Sequence, residues 1–150
     1  MKIRYFALAF GIVFLLVGIA GFIPALLTPP EAPRDLAIEA GHGLLFGLFP
    51  VNVVHNLIHI AFGIWGLAAY RALSSARLYA RAVAIIYALL AVMGFIPTLD
   101  VVFGLAPIHG HDIWLHVVLA AVAAYFGWGV KPAEEYETYS GTGRTSTRRT

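Results

Sequence analysis

Residues 47–59 read GLFPVNVVHNLIH, and residues 104–116 read GLAPIHGHDIWLH, which repeats the first stretch in register and without a gap. Each copy stands at the start of a long apolar run, so each predicts a polar, histidine-bearing turn at the end of a hydrophobic helix. A shorter repeat, GFIP at residues 21–24 and 94–97, closes the apolar run before each copy. The pattern predicts two helical hairpins, with the histidines on the second helix of each.

The composition is typical of a membrane protein. Hydrophobic residues make up 60% of the chain and charged residues 12%, against about half and about a quarter in soluble domains. Four runs without Asp, Glu, Lys or Arg are long enough to cross a bilayer, which takes about 20 residues; they cover residues 5–27, 51–70, 82–99 and 113–130. We therefore expect an all-α fold, a four-transmembrane-helix bundle of two repeated hairpins, in a domain of residues 1–130.

Two segments fall outside these runs. Residues 26–48 begin with several prolines and continue with glycines and apolar residues, which predicts a short external interfacial helix or a cap over the bundle. Residues 131–150 are rich in Glu, Thr, Ser, Gly and Arg. Such a segment buries too little apolar surface to fold alone, so we expect a polar cytoplasmic tail.

The basic residues predict an orientation in the membrane. They precede the first run, lie between the second and third, and follow the fourth, while the opposite face has Arg34 beside acidic residues. By the positive-inside rule, both termini of this multi-pass chain are cytoplasmic, and the repeated histidine turns face the outside. The pI is 9.1, but because the basic residues flank the membrane runs, topology explains them better than nucleic-acid binding does.

Polar side chains within membrane helices are candidate functional sites. His55 and His59 are one helical turn apart, as are Asp112 and His116, so each pair shares a helix face. If the hairpins pack about a pseudo-twofold axis, three imidazoles and a carboxylate converge, a set that suits Zn, Cu or Fe. Such a site would bring nitrogens of His59 and His116 within reach of one ion. Further candidate ligands in the same turns are Glu39, His42, Asp100, His109 and His111.

Two other interpretations of these residues stay open. Histidine and asparagine also hydrogen-bond between membrane helices: Asn52, Asn56 and His55 could satisfy the backbone of the entry turn, and Asp112 could cap the fourth helix. Alternatively, a histidine could be an axial ligand of a haem or pigment.

The sequence disfavours most enzyme classes. It has no phosphate-binding loop, no G-x-S-x-G and no cysteine, so the common nucleophile and phosphate motifs are missing. Four helices repeated in parallel offer little room for a transporter.

We expect a non-catalytic accessory or scaffolding subunit of a larger membrane complex, in contact with the lipid bilayer and other membrane-protein subunits. The alternative is a membrane metal- or haem/pigment-binding protein that uses the His/Asp cluster near the outer leaflet.

Residues 51–67 resemble the bacterial membrane-protein family catalogued as domain of unknown function 4383. The family pattern N-x-x-H-N-x-x-H-x-x-x-G-x-x-G-L falls on Asn52, His55, Asn56, His59, Gly63, Gly66 and Leu67. A second motif, D-N-W-L-H, falls on Asp112, Trp114, Leu115 and His116, with Ile113 in place of Asn. The resemblance covers roughly residues 4–130. It implies four helices in a bacterial inner membrane, and no established activity.

Overall fold

The computed structural model describes residues 2–30 and 35–130. Its four helices are α1 (Lys2–Ala20), α2 (Val53–Ala69), α3 (Leu73–Gly94) and α4 (His111–Ala124), and α4 continues as a π-helical turn, Tyr125–Gly129. α1 packs most extensively on α2, and α3 on α4, while α1 also contacts α3. The mainly helical fold with two hairpins is therefore confirmed. The predicted tail, residues 131–150, lies outside the described residues.

Three of the helices are long and apolar enough to cross a membrane: α1, α3, and α4 with its π-helical turn. α2 is also apolar but has only 17 residues, which is about 25 Å of helix. The third predicted run began at residue 82, whereas α3 begins at Leu73. The difference arises because α3 continues through Arg77 and Arg81, whose guanidinium groups donate to carbonyls at the end of α4, whereas an uncharged run marks only the most apolar part of the helix.

Residues 21–30, 35–52 and 95–110 form a layer over one end of the bundle, which we call the cap. Its first part contains strands β1 (Leu27–Thr28), β2 (Gly43–Leu45) and β3 (Phe49–Val51). They form an antiparallel sheet in the order β1-β2-β3, in which Leu27 pairs with Leu45 and Gly43 with Val51. Leu45 and Val51 are buried. The predicted cap is thus present, but an interfacial helix is wrong for the described part of residues 26–48, because the chain there forms paired strands. Leu36 and Leu45 are buried, whereas Phe46 and Leu48 remain exposed.

Glycines set the distance between α1 and α2. A Cβ on Gly66 would lie 2.7 Å from the Gly11 Cα and 2.8 Å from the Ala7 carbonyl oxygen. A Cβ on Gly63 would lie 2.8 Å from the Leu15 backbone nitrogen. The two backbones therefore touch, as small residues permit in membrane helices.

The apolar core lies toward the opposite end of the bundle, which we call the basal end and which carries Lys2 and the link between α2 and α3. Phe6, Tyr79 and Val83 are buried there among alanines of α3 and α4. The buried polar side chains of the described residues, by contrast, are Asn, His and Asp residues that lie in the cap or directly below it. The bundle thus has an apolar half and a polar half.

Candidate functional site

Three buried side chains meet below the cap, where α2 and α4 begin. His55 lies in the first turn of α2, and Asp112 and His116 lie in the first two turns of α4. One ligand atom from each residue lies within 4.8 Å of the other two. His55, the most exposed of the three, is only 5% exposed. We call this group the His55–Asp112–His116 cluster.

The His55 imidazole connects the turns that precede the two helices. Pro50 in β3 and Pro107 in the cap are both buried, and the backbone of both residues hydrogen-bonds to this ring. Since proline has no N–H, the imidazole donates and the proline carbonyls accept. The other ring nitrogen, Nδ1, is buried and has no hydrogen-bond partner within residues 2–30 and 35–130. A neutral imidazole that donates from one nitrogen has a lone pair on the other, so Nδ1 is available as an acceptor or a ligand atom.

The Asp112 carboxylate lies inside the bundle rather than at the helix cap. α4 has Gly110 at its N-cap and no side-chain cap hydrogen bond, so the interpretation of Asp112 as the cap of this helix is wrong. Its Oδ2 lies 3.6 Å from the His116 Nε2, which is too long for a hydrogen bond, and finds no other partner among the described residues. A carboxylate buried in this way requires a proton or a cation to neutralise it.

His59 lies beside the cluster rather than in it. Its ring centroid is 4.5 Å from that of His55, and its ring stacks on Phe14 at 5.7 Å. The sequence analysis expected nitrogens of His59 and His116 to share an ion. The structure instead groups His116 with His55, because the first turn of α2, not the second, lies level with the start of α4.

Asn52 joins both parts of the cap to α2. Its Oδ1 accepts a hydrogen bond from the His55 backbone N–H at 2.9 Å, so Asn52 is the N-cap of the helix. Its Nδ2 donates to the carbonyls of Ile38 and Leu105, both at 2.8 Å. One buried carboxamide thus fixes the start of α2 and the two cap segments that cover the cluster.

Asn56 joins α2 to the end of α1. Its Nδ2 donates to the Gly21 carbonyl at 2.8 Å, which satisfies a backbone acceptor just beyond the last turn of α1. A Cβ at residue 21 would collide with the Asn56 carboxamide, so glycine is required there. The structure therefore gives both asparagines hydrogen-bonding roles, although the Asn56 Oδ1 is buried without a hydrogen-bond partner among the described residues.

Aromatic side chains close the cluster toward the bundle interior. The Tyr87 ring stands edge-on to the His116 ring, with centroids 4.8 Å apart and an interplanar angle of 90°. Phe14 packs on Tyr87 at 5.5 Å. The sequence analysis did not single out Tyr87, since one tyrosine inside an apolar run carries no motif signal. Only the packing of α3 against α4 places it next to His116.

The remaining candidate ligands do not join the cluster within the described residues. Glu39 and His111 are exposed. His42, Asp100 and His109 are at least partly buried, and each of them interacts with other groups.

A protein-family model matches the whole bundle and its cap. The match covers residues 4–129, and the model is described as "Domain of unknown function (DUF4383)". The chain belongs to the DUF4383 family. No curated protein and no solved structure matches it. The resemblance seen in the sequence is thus confirmed for this DUF4383 protein, and the chemistry of its site has to be argued from the site itself.

Two imidazoles and a carboxylate are the donor set of many zinc and non-haem iron sites. In the DUF4383 protein each of the three residues brings a buried ligand atom without a hydrogen-bond partner: His55 Nδ1, Asp112 Oδ2 and His116 Nδ1. Buried polar atoms are normally paired. These three atoms can accept a hydrogen bond or bind a cation.

Proposed function

We propose that this DUF4383 protein is a non-catalytic membrane protein that binds a divalent transition-metal ion, such as Zn²⁺, at the His55–Asp112–His116 cluster. The observation that carries the proposal is the convergence of the three ligand atoms to within 4.8 Å of one another. Polar groups inside a membrane bundle are costly and mark functional sites. A bound cation offsets that cost, since it neutralises the carboxylate and occupies both imidazole lone pairs.

The cluster can hold a small ion after a contraction of about 1 Å. Ligand bonds to zinc are about 2.0 to 2.2 Å in tetrahedral geometry, so two ligand atoms on one ion are about 3.3 to 3.6 Å apart. The ligand atoms of the cluster, at up to 4.8 Å, therefore have to approach one another by about 1 Å on binding. His59 is the nearest candidate for a fourth ligand, because its Nδ1 is also buried without a partner among the described residues. A water molecule is the other candidate.

A small ion fits the surroundings better than a haem or pigment. A macrocycle coordinated by His116 would need a broad slot beside the imidazole, but the Tyr87 ring packs against it at 4.8 Å. On the α2 side, Phe14 stacks on His59. A haem would have to displace both aromatic rings, whereas an ion displaces neither.

The direct test is metal analysis of protein purified with a tag that contains no histidine. Elemental analysis should find Zn, Cu or Fe at about one ion per chain, and competition against a chromogenic chelator should give its affinity. His116→Leu should weaken binding at least about 100-fold, the upper end of what even indirect changes around a metal site cause. His111→Leu is the matched control, since His111 is exposed on the same helix and should bind as the wild type does.

Asp112→Asn provides a second variant of nearly the same shape, in case His116→Leu does not fold. Loss of binding in Asp112→Asn with an unchanged circular dichroism spectrum supports the proposal. Wild-type protein that takes up no transition metal at micromolar concentration contradicts it, as does equal loss in His111→Leu. In either of those cases the histidines act only in packing and hydrogen bonding.

The accessory or scaffolding role expected from the sequence is a second candidate. What supports it is the small size of a chain of 150 residues without a recognisable nucleophile or phosphate motif. Purification in a mild detergent followed by mass spectrometry tests this role. Co-purification of stoichiometric membrane subunits supports it, and a lone species in every mild detergent tried contradicts it.

The proposed orientation places the basal end in the cytoplasm of a bacterial cell and the metal site toward the outside. The positive-inside rule supports it, since Lys2, Arg4, Arg71, Arg77 and Arg81 all lie toward the basal end. Because the chain has no cysteine, Leu48→Cys in the cap and Ser74→Cys at the basal end give single labelling sites. A membrane-impermeant maleimide should label Leu48→Cys in intact cells, and labelling of Ser74→Cys from outside would reverse the orientation.

A further inference from the structure

A cavity at the basal end lies where α3 begins. Its volume is about 390 Å³, and its lining combines charged, hydroxyl and aliphatic side chains: Leu73, Ser74, Arg77, Leu78 and Arg81. The metal proposal does not involve any of these residues. A pair of arginines beside aliphatic walls is an arrangement suited to an anion that is attached to an apolar group.

The end of α4 holds both arginines in place. The Arg77 Nη2 donates to the Val130 carbonyl at 3.1 Å, and the Arg81 Nε donates to the Gly127 carbonyl at 2.9 Å. The Arg81 guanidinium also lies over the Trp128 ring, 5.5 Å from its centroid, within the distance of about 6 Å at which a cation is attracted to an aromatic ring. The guanidinium groups are thus positioned before any ligand binds.

The donors at this cavity are not all used. The Arg77 Nε is buried and has no hydrogen-bond partner among the described residues. α3 begins beside it with Ala72 at the N-cap and no side-chain cap hydrogen bond. The backbone N–H groups of the first turn and the positive end of the helix dipole therefore add to the positive electrostatic potential at the cavity.

The basal end also lacks compensating negative charge in the part of the chain that the structure describes. The acidic residues within that part are Asp35, Glu39, Asp100 and Asp112, and all of them lie in the cap or at the start of α4. Arg4, like the cavity arginines, donates to a backbone carbonyl, that of Tyr70 at 2.7 Å. An anion that binds at this end therefore meets cations without competing carboxylates from residues 2–30 and 35–130.

A separate apolar groove lies further along the same face of α3. It has a volume of about 340 Å³ and is lined mainly by alanines of α3 and α4: Ala84, Ile85, Ala88, Ala120, Ala121, Ala124 and Trp128. Ser74, Arg77, Arg81, Ala84 and Ala88 recur every three or four residues, which places them on one face of the helix. Trp128, which lines the groove, contacts Arg81, which lines the cavity, so the two sites are neighbours.

From this arrangement we infer that the DUF4383 protein binds an anionic phospholipid, with its phosphate at Arg77 and Arg81 and an acyl chain in the alanine-lined groove. Basic cavities between membrane helices on the cytoplasmic side bind anionic head groups. The adjoining groove favours a lipid over free phosphate, because inorganic phosphate has nothing to place there.

Native mass spectrometry of the full chain tests the inference. The detergent-purified protein is incubated with phosphatidylglycerol or with phosphatidylcholine of the same acyl chains, and the retained lipid is counted. Wild-type protein should retain phosphatidylglycerol in preference. The double variant Arg77→Gln, Arg81→Gln should lose roughly 30-fold of that preference, the factor expected for two basic residues near an anionic lipid.

Arg4→Gln is the matched control. It also removes a positive charge and a hydrogen bond to a helix-end carbonyl at the basal end, but Arg4 does not line the cavity, so this variant should keep the preference. If the double glutamine variant does not fold, Arg77→Lys with Arg81→Lys replaces it. Lysine keeps the charge but not the planar donors of arginine, so a reduced preference is expected.

Several outcomes would overturn the inference. Equal retention of the two lipids by wild-type protein is one, and equal loss of preference in Arg4→Gln is another, since it would mean a non-specific effect of charge. Inorganic phosphate that stabilises the protein against heat as well as phosphatidylglycerol does would assign the cavity to free phosphate. A variant truncated after Val130 tests whether the C-terminal segment competes with the lipid. If the truncated protein prefers phosphatidylglycerol and the intact chain does not, the segment with Glu134, Glu135 and Glu137 excludes the lipid, and the inference is wrong for the intact chain.

Discussion

The two ends of the bundle place their polar groups in opposite ways. Below the cap, His55, Asp112 and His116 are buried and keep ligand atoms without hydrogen-bond partners. At the basal end, Arg4, Arg77 and Arg81 stay partly exposed and donate to helix-end carbonyls, and among these arginines the Arg77 Nε is the buried donor without a partner in the described part of the chain. Basic residues near helix C-termini stabilise a fold by themselves, whereas unpaired buried groups lower its stability.

The metal proposal implies that stability and metal binding can be separated by mutation. The apolar half around Phe6 and Tyr79 holds the helices together, and the polar half contains the proposed ligand atoms. Replacing an apolar core side chain should lower the free energy of unfolding without changing metal binding, and replacing a proposed ligand should abolish metal binding. The largest effect is expected at Gly66, where two helix backbones meet.

Gly66→Val should break the bundle as a whole. A Cβ at this position already lies 2.7 Å from the Gly11 Cα, and branching it forces α1 and α2 apart, at a cost of at least about 3 kcal/mol. We expect loss of the folded species in fluorescence-detected gel filtration. Ala61→Val is the control, because Ala61 is exposed on the same helix and should tolerate the change. A folded Gly66→Val protein would mean that the backbones are not in contact.

Phe6→Ala should weaken the apolar half alone. The ring stacks on Phe126 at 4.7 Å and is 5% exposed, so its removal leaves a cavity that costs about 3 kcal/mol. Thermal unfolding in detergent should show the loss, while metal stoichiometry stays at the wild-type value. Loss of metal together with stability would show that the two halves are coupled.

Zinc should stabilise the polar half by mass action. At a free concentration 100 times its dissociation constant, a ligand that binds only the folded state adds about 2.7 kcal/mol. We expect this gain as a raised unfolding temperature in wild-type protein and in His111→Leu, and no gain in His116→Leu. A similar gain in His116→Leu would place the binding site elsewhere.

Asn52→Ser should loosen the cap with the smallest effect on the bundle. Serine can still accept the hydrogen bond from the His55 N–H, as a good N-cap does, but its shorter side chain has no amide to donate to the Ile38 and Leu105 carbonyls that Asn52 contacts at 2.8 Å. The lost bonds are worth about 1 to 2 kcal/mol. Hydrogen exchange should rise at residues 36–40 and 101–106 and stay unchanged in α3. Uniformly faster exchange would show instead that Asn52 supports the whole fold.

The amino-acid pattern was enough to predict the helices, their pairing into hairpins and the family. Uncharged runs near the length of a bilayer leave few alternatives to a helix, because the backbone must satisfy its own hydrogen bonds in lipid. The i, i+4 spacing also determined that His55 shares a face with His59, and Asp112 with His116, since the helical repeat fixes both relations.

Tertiary structure alone decided which histidine meets Asp112. Which histidine lies next to Asp112 depends on the positions at which α2 and α4 begin and on the rotation of each helix about its axis. The spacing of residues within one helix specifies neither of these. It also decided the cap: β1, β2 and β3 have two or three residues each, too few to give an alternating pattern. Tyr87 reaches His116 for the same reason, because a contact between distant residues is set by packing and leaves no local signal in the chain.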